Sequence, residues 1–510
     1  MRLRVVMLCA VLALPSCATP GSSGVSADES SNTLVVSTPT EPDSLDPTFA
    51  DTFAARLVFT SLCEKLYDVD NSLRLVPQLA AALPSTSKDG KTVTIRLRKG
   101  VRFNDGTPFD AAAVKTTLDR DRTAKESARA SELEAVSRVE VVDPATVRLR
   151  LKHPSAPLAA QLADRAGLIA SPTALKRLGE NFTTAPVCVG PFRYRSRVSG
   201  NELSLVRSPY YYDRNKVRLS GITYKFIANS SVATANLQSG DVDAAEHLDP
   251  SDAVNLESER GFRVLRSKTI AYQSLSVNVR PDAGTALSRS ADLRRALEMS
   301  INRRALNAAV WNGQEVPDCG PLPVQSPMRT EPSCTPFDPA GARALIKRSG
   351  VKPPIKVELM ASTGAATQRE AQAVQAMAND VGFDVSVRPL DLVSALVLAR
   401  SGKFDAFLVG WSGRVDPDGD TNGLVTTGGP NNFAGLSDPK IDDLVAQAAA
   451  TDDTKERARL YAQVDRRVSA HRALFYLYHN TWFLGTSRRL HGVDYRPDGI
   501  PRFSTAYLSR

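Results

Sequence analysis

Between Lys356 and Trp411 the chain switches repeatedly from strand to helix periodicity, and this alternation restricts the fold more than any other feature of the sequence. Lys356 to Met360 reads as a strand, Thr367 to Val381 as a helix stopped by Gly382, and Phe383 to Val387 as a second strand. Leu392 to Ser401 is again helical, and Phe404 to Trp411 is an apolar third strand. Strands separated by helices pair in parallel, with the helices crossing over the sheet faces, so this stretch predicts an α/β domain. Around it, Ser290 to Val310 is predicted as one helix, with Leu293, Leu297, Ile301 and Ala305 on a single stripe. Asp338-Pro339 opens another helix that Gly350 closes, and two more are expected over Pro439 to Ala450 and Thr454 to Ser469.

The first half has a different rhythm. Thr33 to Ser37 reads as a strand and Phe53 to Leu66 as a helix. From Val76 to about Ala185 the chain is predicted to meander. Thr92 to Arg98 and Thr146 to Lys152 alternate apolar and polar residues, the period of strands with one solvated face. Asp89-Gly90 and Asn104-Asp105-Gly106 supply the turns. Helices are expected near Phe109 to Leu118 and near Ser131. A strand segment begins at Val189, Ser231 to Ser239 is a short helix ended by Gly240, and Val242 to Ala245 follows as a strand.

Arg2 and Arg4 precede an apolar run from Val5 to Leu14, and Leu14-Pro15-Ser16-Cys17 follows directly. That run is too short for a membrane helix of roughly 20 residues and has the order of an export signal. The cysteine after the small residue resembles the bacterial lipobox, in which the thiol is acylated. Residues 1–16 are therefore expected to be a signal peptide, Cys17 the lipidated residue, and 17–32 a Gly/Ser-rich tether. The protein is placed on the outer face of the cytoplasmic membrane, or in the periplasm. The chain beyond is long enough for two or three domains. Its net charge, +9 for the whole sequence, is dispersed rather than gathered in a basic stripe, so no nucleic-acid partner is expected. Beyond Cys9 and Cys17 stand Cys63, Cys188, Cys319 and Cys334. An even number in an oxidising compartment suggests disulfides, and three pairings are open.

Enzyme-like patterns fail on context. Ser85-Thr86-Ser87-Lys88 fits S-x-x-K, but it runs through a polar turn instead of opening a buried helix. Gly410-Trp411-Ser412-Gly413 brings its second glycine one residue too early for a nucleophile elbow. Asp416, Asp418, Asp420 and Asn422 begin like a calcium loop, but Thr421 and Thr427 stand where Gly and Glu are needed. His153, His247, His471, His479 and His491 have no metal-ligand spacing. No catalytic residue, metal or cofactor is expected. The loop after Trp411 still follows the carboxyl end of a strand, the place where open α/β sheets bind ligands.

Several segments resemble the extracellular solute-binding proteins of family 5, which serve peptide, opine and nickel ABC importers. They are Leu75-Val76-Pro77-Gln78-Leu79-Ala80, Asp89-Gly90-Lys91-Thr92-Val93 and Val101-Arg102-Phe103-Asn104-Asp105-Gly106-Thr107-Pro108-Phe109. Val189-Gly190-Pro191-Phe192, Leu237-Gln238-Ser239-Gly240-Asp241-Val242-Asp243, Leu293-Arg294-Arg295-Ala296-Leu297 and Trp411-Ser412-Gly413-Arg414 with Asp416-Pro417-Asp418-Gly419 also match, all in family order. The resemblance implies a three-domain α/β clamp. Its first lobe would take 33–67, 187–271 and 481–510, an inserted, mainly β domain 68–186, and the second lobe 272–480. It further implies a monomeric binding component, not an enzyme, that hands a peptide or another small solute (an opine, a sugar, a haem or a nickel complex) to an ABC permease and ATPase. A secreted lipoprotein hydrolase and a signalling or adhesion lipoprotein are the rival readings.

On that lobe division the expected bridges are Cys63–Cys188 within the first lobe and Cys319–Cys334 across a Pro-rich loop of the second. The expected ligand site is Trp411 as a flat apolar wall, Arg414 facing a carboxylate, and Asp416 or Asp418 facing an ammonium. Some peptide-binding members place an Asp where Arg414 stands, so this chain departs from them there. The lipobox carries its own test. Cys17→Ala should move the protein from the membrane to the soluble fraction on fractionation, and unchanged partitioning would overturn the anchor.

Overall fold

The structure, a computed structural model, describes residues 32–332 and 334–509. The expected signal peptide, Cys17 and nearly all of the tether lie outside the described residues. Within them no helix is long and apolar enough to cross a membrane.

An eleven-stranded sheet organises the chain. Its strands are β1 (Thr33–Thr38), β2 (Phe192–Val198), β3 (Glu202–Arg207), β4 (Gly221–Phe226), β5 (Ala244–Glu246), β6 (Phe262–Val277), β7 (Val316–Pro317), β8 (Ile355–Ser362), β9 (Phe383–Leu390), β10 (Ala406–Trp411) and β11 (Leu474–Ser487). The order is β9-β8-β10-β6-β11-β5-β1-β4-β3-β2, with β7 also on β11. As the alternation requires, β8 runs parallel to both β9 and β10, and the helices Ala365–Asn379 and Leu392–Arg400 make the crossovers. At the other end β1 runs parallel to β4 and β5.

The antiparallel pair β6 and β11 joins the two ends. Phe262 to Lys268 pairs with Thr481 to Ser487, and Tyr272 to Ser276 pairs with Leu474 to His479. Between Lys268 and Tyr272 the register breaks, so each strand changes course there. Thr269 Oγ1 donates to Asn480 O at 2.9 Å and Ile270 N to Pro497 O at 3.0 Å, which satisfies backbone groups that the ladder leaves open.

Three large apolar clusters lie apart. One gathers Leu34, Val36, Phe59, Phe192 and Tyr224 under the β1 end, and a second Leu293, Leu345, Leu359, Phe383 and Phe475 under the β8 end. The third gathers Ile95, Phe103, Val114, Leu149 and Ile169 within the meander. There a four-stranded antiparallel sheet (Ser85–Thr86, Thr92–Arg96, Thr146–Leu151, Val136–Asp143) is covered by the helix Ala111–Thr123.

Local chemistry corrects several sequence-based expectations. The helix expected over Ser290 to Val310 is two helices, Ala291–Ser300 and Arg303–Trp311, because Asn302 leaves helical geometry and caps the second through Ala305 N at 3.0 Å. The first long helix is Phe53–Leu62, not Phe53 to Leu66, since Cys63 turns extended to meet Cys188. Near Ser131 the chain makes turns and no helix. Ser85 and Lys88 lie on an exposed hairpin.

Disulfides join Cys63 to Cys188 and Cys319 to Cys334, with sequence separations of 125 and 15. A cross-link restricts the unfolded chain more when it closes a longer loop. The double variant Cys63→Ser/Cys188→Ser should therefore lose about 2–4 kcal/mol in chemical denaturation, and more than Cys319→Ser/Cys334→Ser. The reverse order of midpoints would contradict this account.

Candidate functional site

The loop that follows β10 is shaped by its own residues. At Gly413 φ is +70°, and a Cβ there would lie 2.3 Å from Ile270 O of β6, so only glycine lets the chain turn this close to the sheet. Asp416 Oδ1 accepts from Asp418 N at 3.0 Å and caps the short turn Pro417–Asp420. Trp411 Nε1 and Arg414 N both donate to Asp420 Oδ1, at 3.0 and 2.9 Å, which ties the start of the loop to its end. The Arg414 guanidinium lies 4.6 Å from the centre of the Trp411 ring, a cation–π distance.

Distant segments then claim the charges. Arg457, on the helix Thr454–His471, donates from both terminal nitrogens to the two oxygens of Asp416 at 2.7 Å. Burial lowers the Arg457 pKa and this fork-to-carboxylate bond overcomes that effect, so the net shift is upward. Arg414 Nε stands 3.2 Å from Asp164 Oδ2, and Arg56 Nε 3.1 Å from Asp164 Oδ1. Burial would raise the Asp164 pKa, but Arg56, Arg414 and Arg165 hold its carboxyl well below the usual range. Arg165 is pushed down to about 9 by burial and by neighbouring Arg129.

Of these groups Arg56, Asp164, Trp411, Arg414, Asp416 and Asp418 line a cavity of about 1150 Å³. Its walls come from Phe49 to Arg56, from 126–135 and 153–164 of the meander, from Arg280 and Arg400, and from the loop 411–432. Trp411, Arg414, Asp416 and Asp418 all line it. Their states differ, however. Arg414 and Asp416 already have ion-pair partners, whereas Asp418 Oδ1 is buried without a hydrogen bond and Oδ2 has only Asn422 Nδ2 at 3.4 Å. Among the described residues no group of His, Cys, Asp and Glu is arranged to hold a metal ion. Arg56, Asp164, Arg280, Arg400 and Arg457 belong to no local motif. Arg56 and Arg400 left a trace in the sequence, each as the single charge of an apolar stretch, Phe53 to Leu62 and Leu392 to Arg400.

The family described as bacterial extracellular solute-binding proteins, family 5 middle, matches residues 74–433. The glutathione-binding protein GsiB of Pectobacterium atrosepticum is 29% identical over 478 residues, covering 91% of this chain and 92% of that protein. The protein of the same name from Escherichia coli K12 is 29% identical over 440 residues, covering 84% and 85%. Among solved structures, a dipeptide-binding protein of Pseudoalteromonas sp. SM9913 in complex with Met-Leu superposes with a TM-score of 0.86 at 20% identity, covering 93% of this chain and all of that one. NikA of Staphylococcus aureus in complex with Ni(L-His)2 gives 0.84 at 19% identity, covering 94% and 100%.

Burial, and then the charge of Asp416, raise the Asp418 pKa from 3.8 to about 7. The folded chain therefore keeps a proton that the unfolded chain releases, and between those pH values stability falls as pH rises. Asp418→Asn cannot ionise. From pH 5 to 8 it should lose less stability than the wild type, by about 2–3 kcal/mol for the two pH units between 5 and 7. Parallel stability–pH curves in urea denaturation would refute this.

Proposed function

From the fact that this chain belongs to family 5 of the bacterial extracellular solute-binding proteins, we propose that it captures a short peptide outside the cytoplasm for an ABC importer. The observation that carries the reading is the cavity, which combines the apolar face of Trp411, a half-satisfied buried carboxyl at Asp418 and guanidinium groups in one wall. A zwitterion needs an apolar surface and partners of both signs, and that combination suits a peptide better than a neutral sugar. At about 1150 Å³ the cavity is at or above the range of roughly 300–1,000 Å³ that holds drug-sized ligands, which favours a peptide of a few residues over one amino acid. The GsiB relatives support the same class, since glutathione is a tripeptide.

In this reading Trp411 forms the flat wall and Asp418, protonated in the empty protein below about pH 7, gives up its proton to meet the ligand ammonium. Arg414 and Asp416 shape the wall through Asp164 and Arg457. The lobes, 33–67 with 187–271 and 481–510 against 272–480, and the inserted domain 68–186 close on the solute by bending where the β6–β11 register breaks. Only the closed form makes contacts from both sides, so ligand favours closure. Lipid at Cys17 would hold the protein beside its permease and ATPase.

Calorimetry with a panel of di- and tripeptides, glutathione included, tests the reading. At least one should bind, and Trp411→Ala should weaken it by about 1–3 kcal/mol, the scale of a buried aromatic contact. Binding only by an opine, a sugar or a nickel complex would replace the peptide with that solute.

A further inference from the structure

Arg280 lines the cavity in a setting unlike that of its other arginines. It follows β6, and its stem lies over Gly402 and Gly435, whose φ values are +70° and +74°. A Cβ at Gly435 would stand 2.3 Å from Arg280 Cγ, so the second lobe leaves a trough for this side chain. Asn278, fully buried, donates to Gly402 O at 2.8 Å and Phe404 O at 3.0 Å, and its Oδ1 accepts from Arg280 N at 3.2 Å. At the other end Nη1 donates to Phe433 O at 2.5 Å and reaches Asn278 Oδ1 at 3.4 Å, while Nη2 reaches Asn432 O at 3.4 Å and keeps its second hydrogen. These partners are all neutral oxygens. Burial lowers the pKa of Arg280, opposed only by the more distant charge of Asp282.

Arg400 reaches the same segment, with Nη2 3.4 Å from Asn431 Oδ1. Its carboxylate partner is Asp51, also at 3.4 Å, on the opposite wall, with both side chains close to half exposed. Exposed pairs of this kind contribute little, so a competing carboxylate can displace Asp51. Two guanidinium groups thus converge on Asn431 to Phe433, one without a carboxylate and the other with a weak one. Arg56 and Arg414 are both committed to Asp164.

We propose that Arg280 and Arg400, rather than Arg414, hold a carboxylate of the captured solute, so that the ligand class is short peptides with a free carboxylate. The inference rests on the peptide reading above and adds the position of the anionic end. A guanidinium fork fixed by neutral carbonyls keeps donors for a planar carboxylate, and a partly buried site makes that bond stronger than it is in water.

The test uses the full chain with four probes: trialanine, trialanine amide, glutathione and succinate. Calorimetry should show the wild type binding trialanine roughly tenfold or more better than its amide, the scale of a lost charge-assisted bond. That preference should vanish in Arg280→Gln, shrink in Arg400→Gln and survive in part in Arg280→Lys, which keeps the charge but loses the fork. Melting curves check that each variant is folded. If Arg280→Gln is not, the Arg400→Gln and Arg280→Lys results decide. Equal affinity of acid and amide for the wild type overturns the subsite, as does a preference that survives both glutamine substitutions, and either result leaves peptide capture standing. If no peptide binds but succinate raises the melting temperature in an Arg280-dependent way, the subsite stands and the peptide reading falls. If neither peptides nor succinate bind, both fall.

Discussion

The ladder between β6 and β11 is the constraint on which the rest depends. Two strands of 16 and 14 residues stand in the middle of the sheet, between the β8 end and the β1 end, and each end has its own apolar cluster beneath it. A long antiparallel pair is stiff along its hydrogen bonds, and this one is interrupted between Lys268 and Tyr272. The cavity opens beside this framework, between the helix that follows β1, the meander and the loop that follows β10.

Asp164 sets the electrostatics of that space. A carboxylate this buried carries a desolvation penalty of several kcal/mol, which is offset only when its charge is well compensated. Here Arg56 comes from the first helix and Arg414 from the loop after β10, so one carboxylate links three parts of the chain. The arrangement also sorts the arginines. Those on Asp164 share one buried carboxylate, whereas near Asn431 to Phe433 Arg280 has only neutral partners and Arg400 a half-exposed carboxylate. Asp416 and Asp418 divide in the same way, two residues apart: the first is fully engaged by Arg457, and the second is left protonatable.

A binding protein needs a site that is shaped before the solute arrives and unfinished until it does. The paired groups do the shaping, since their geometry is fixed by bonds within the chain. The incompletely satisfied groups are Asp418, Arg280 and Arg400, and in the proposed reading a ligand that pairs with them would remove a penalty already present in the empty protein. The chain belongs to a family of solute-binding proteins, and this division of labour suits the binding of a solute.

Much of the fold was legible in the sequence because secondary structure is encoded by local periodicity. The strands and helices from Lys356 to Trp411 could be read from alternation and from stops such as Gly382, and the structure makes the parallel sheet they imply. The split at Asn302 was missed because an apolar stripe continues across it, while the break depends on one capping side chain. The loop Trp411 to Asp418 was legible for the same local reason. What that loop does was not. The partner of Asp416 lies 41 residues away, and Arg56, 356 residues from Ser412, reaches the same loop. The cysteines repeat the lesson: spacing left three pairings open, and folding brought Cys63 to Cys188 across 125 residues. A sequence by itself determines what depends on neighbours in the chain, namely period, turns and caps. Which charges are paired and which are left for a ligand was decided by the tertiary structure, because pairing depends on distance in space and on burial, and both arise only when remote segments pack together.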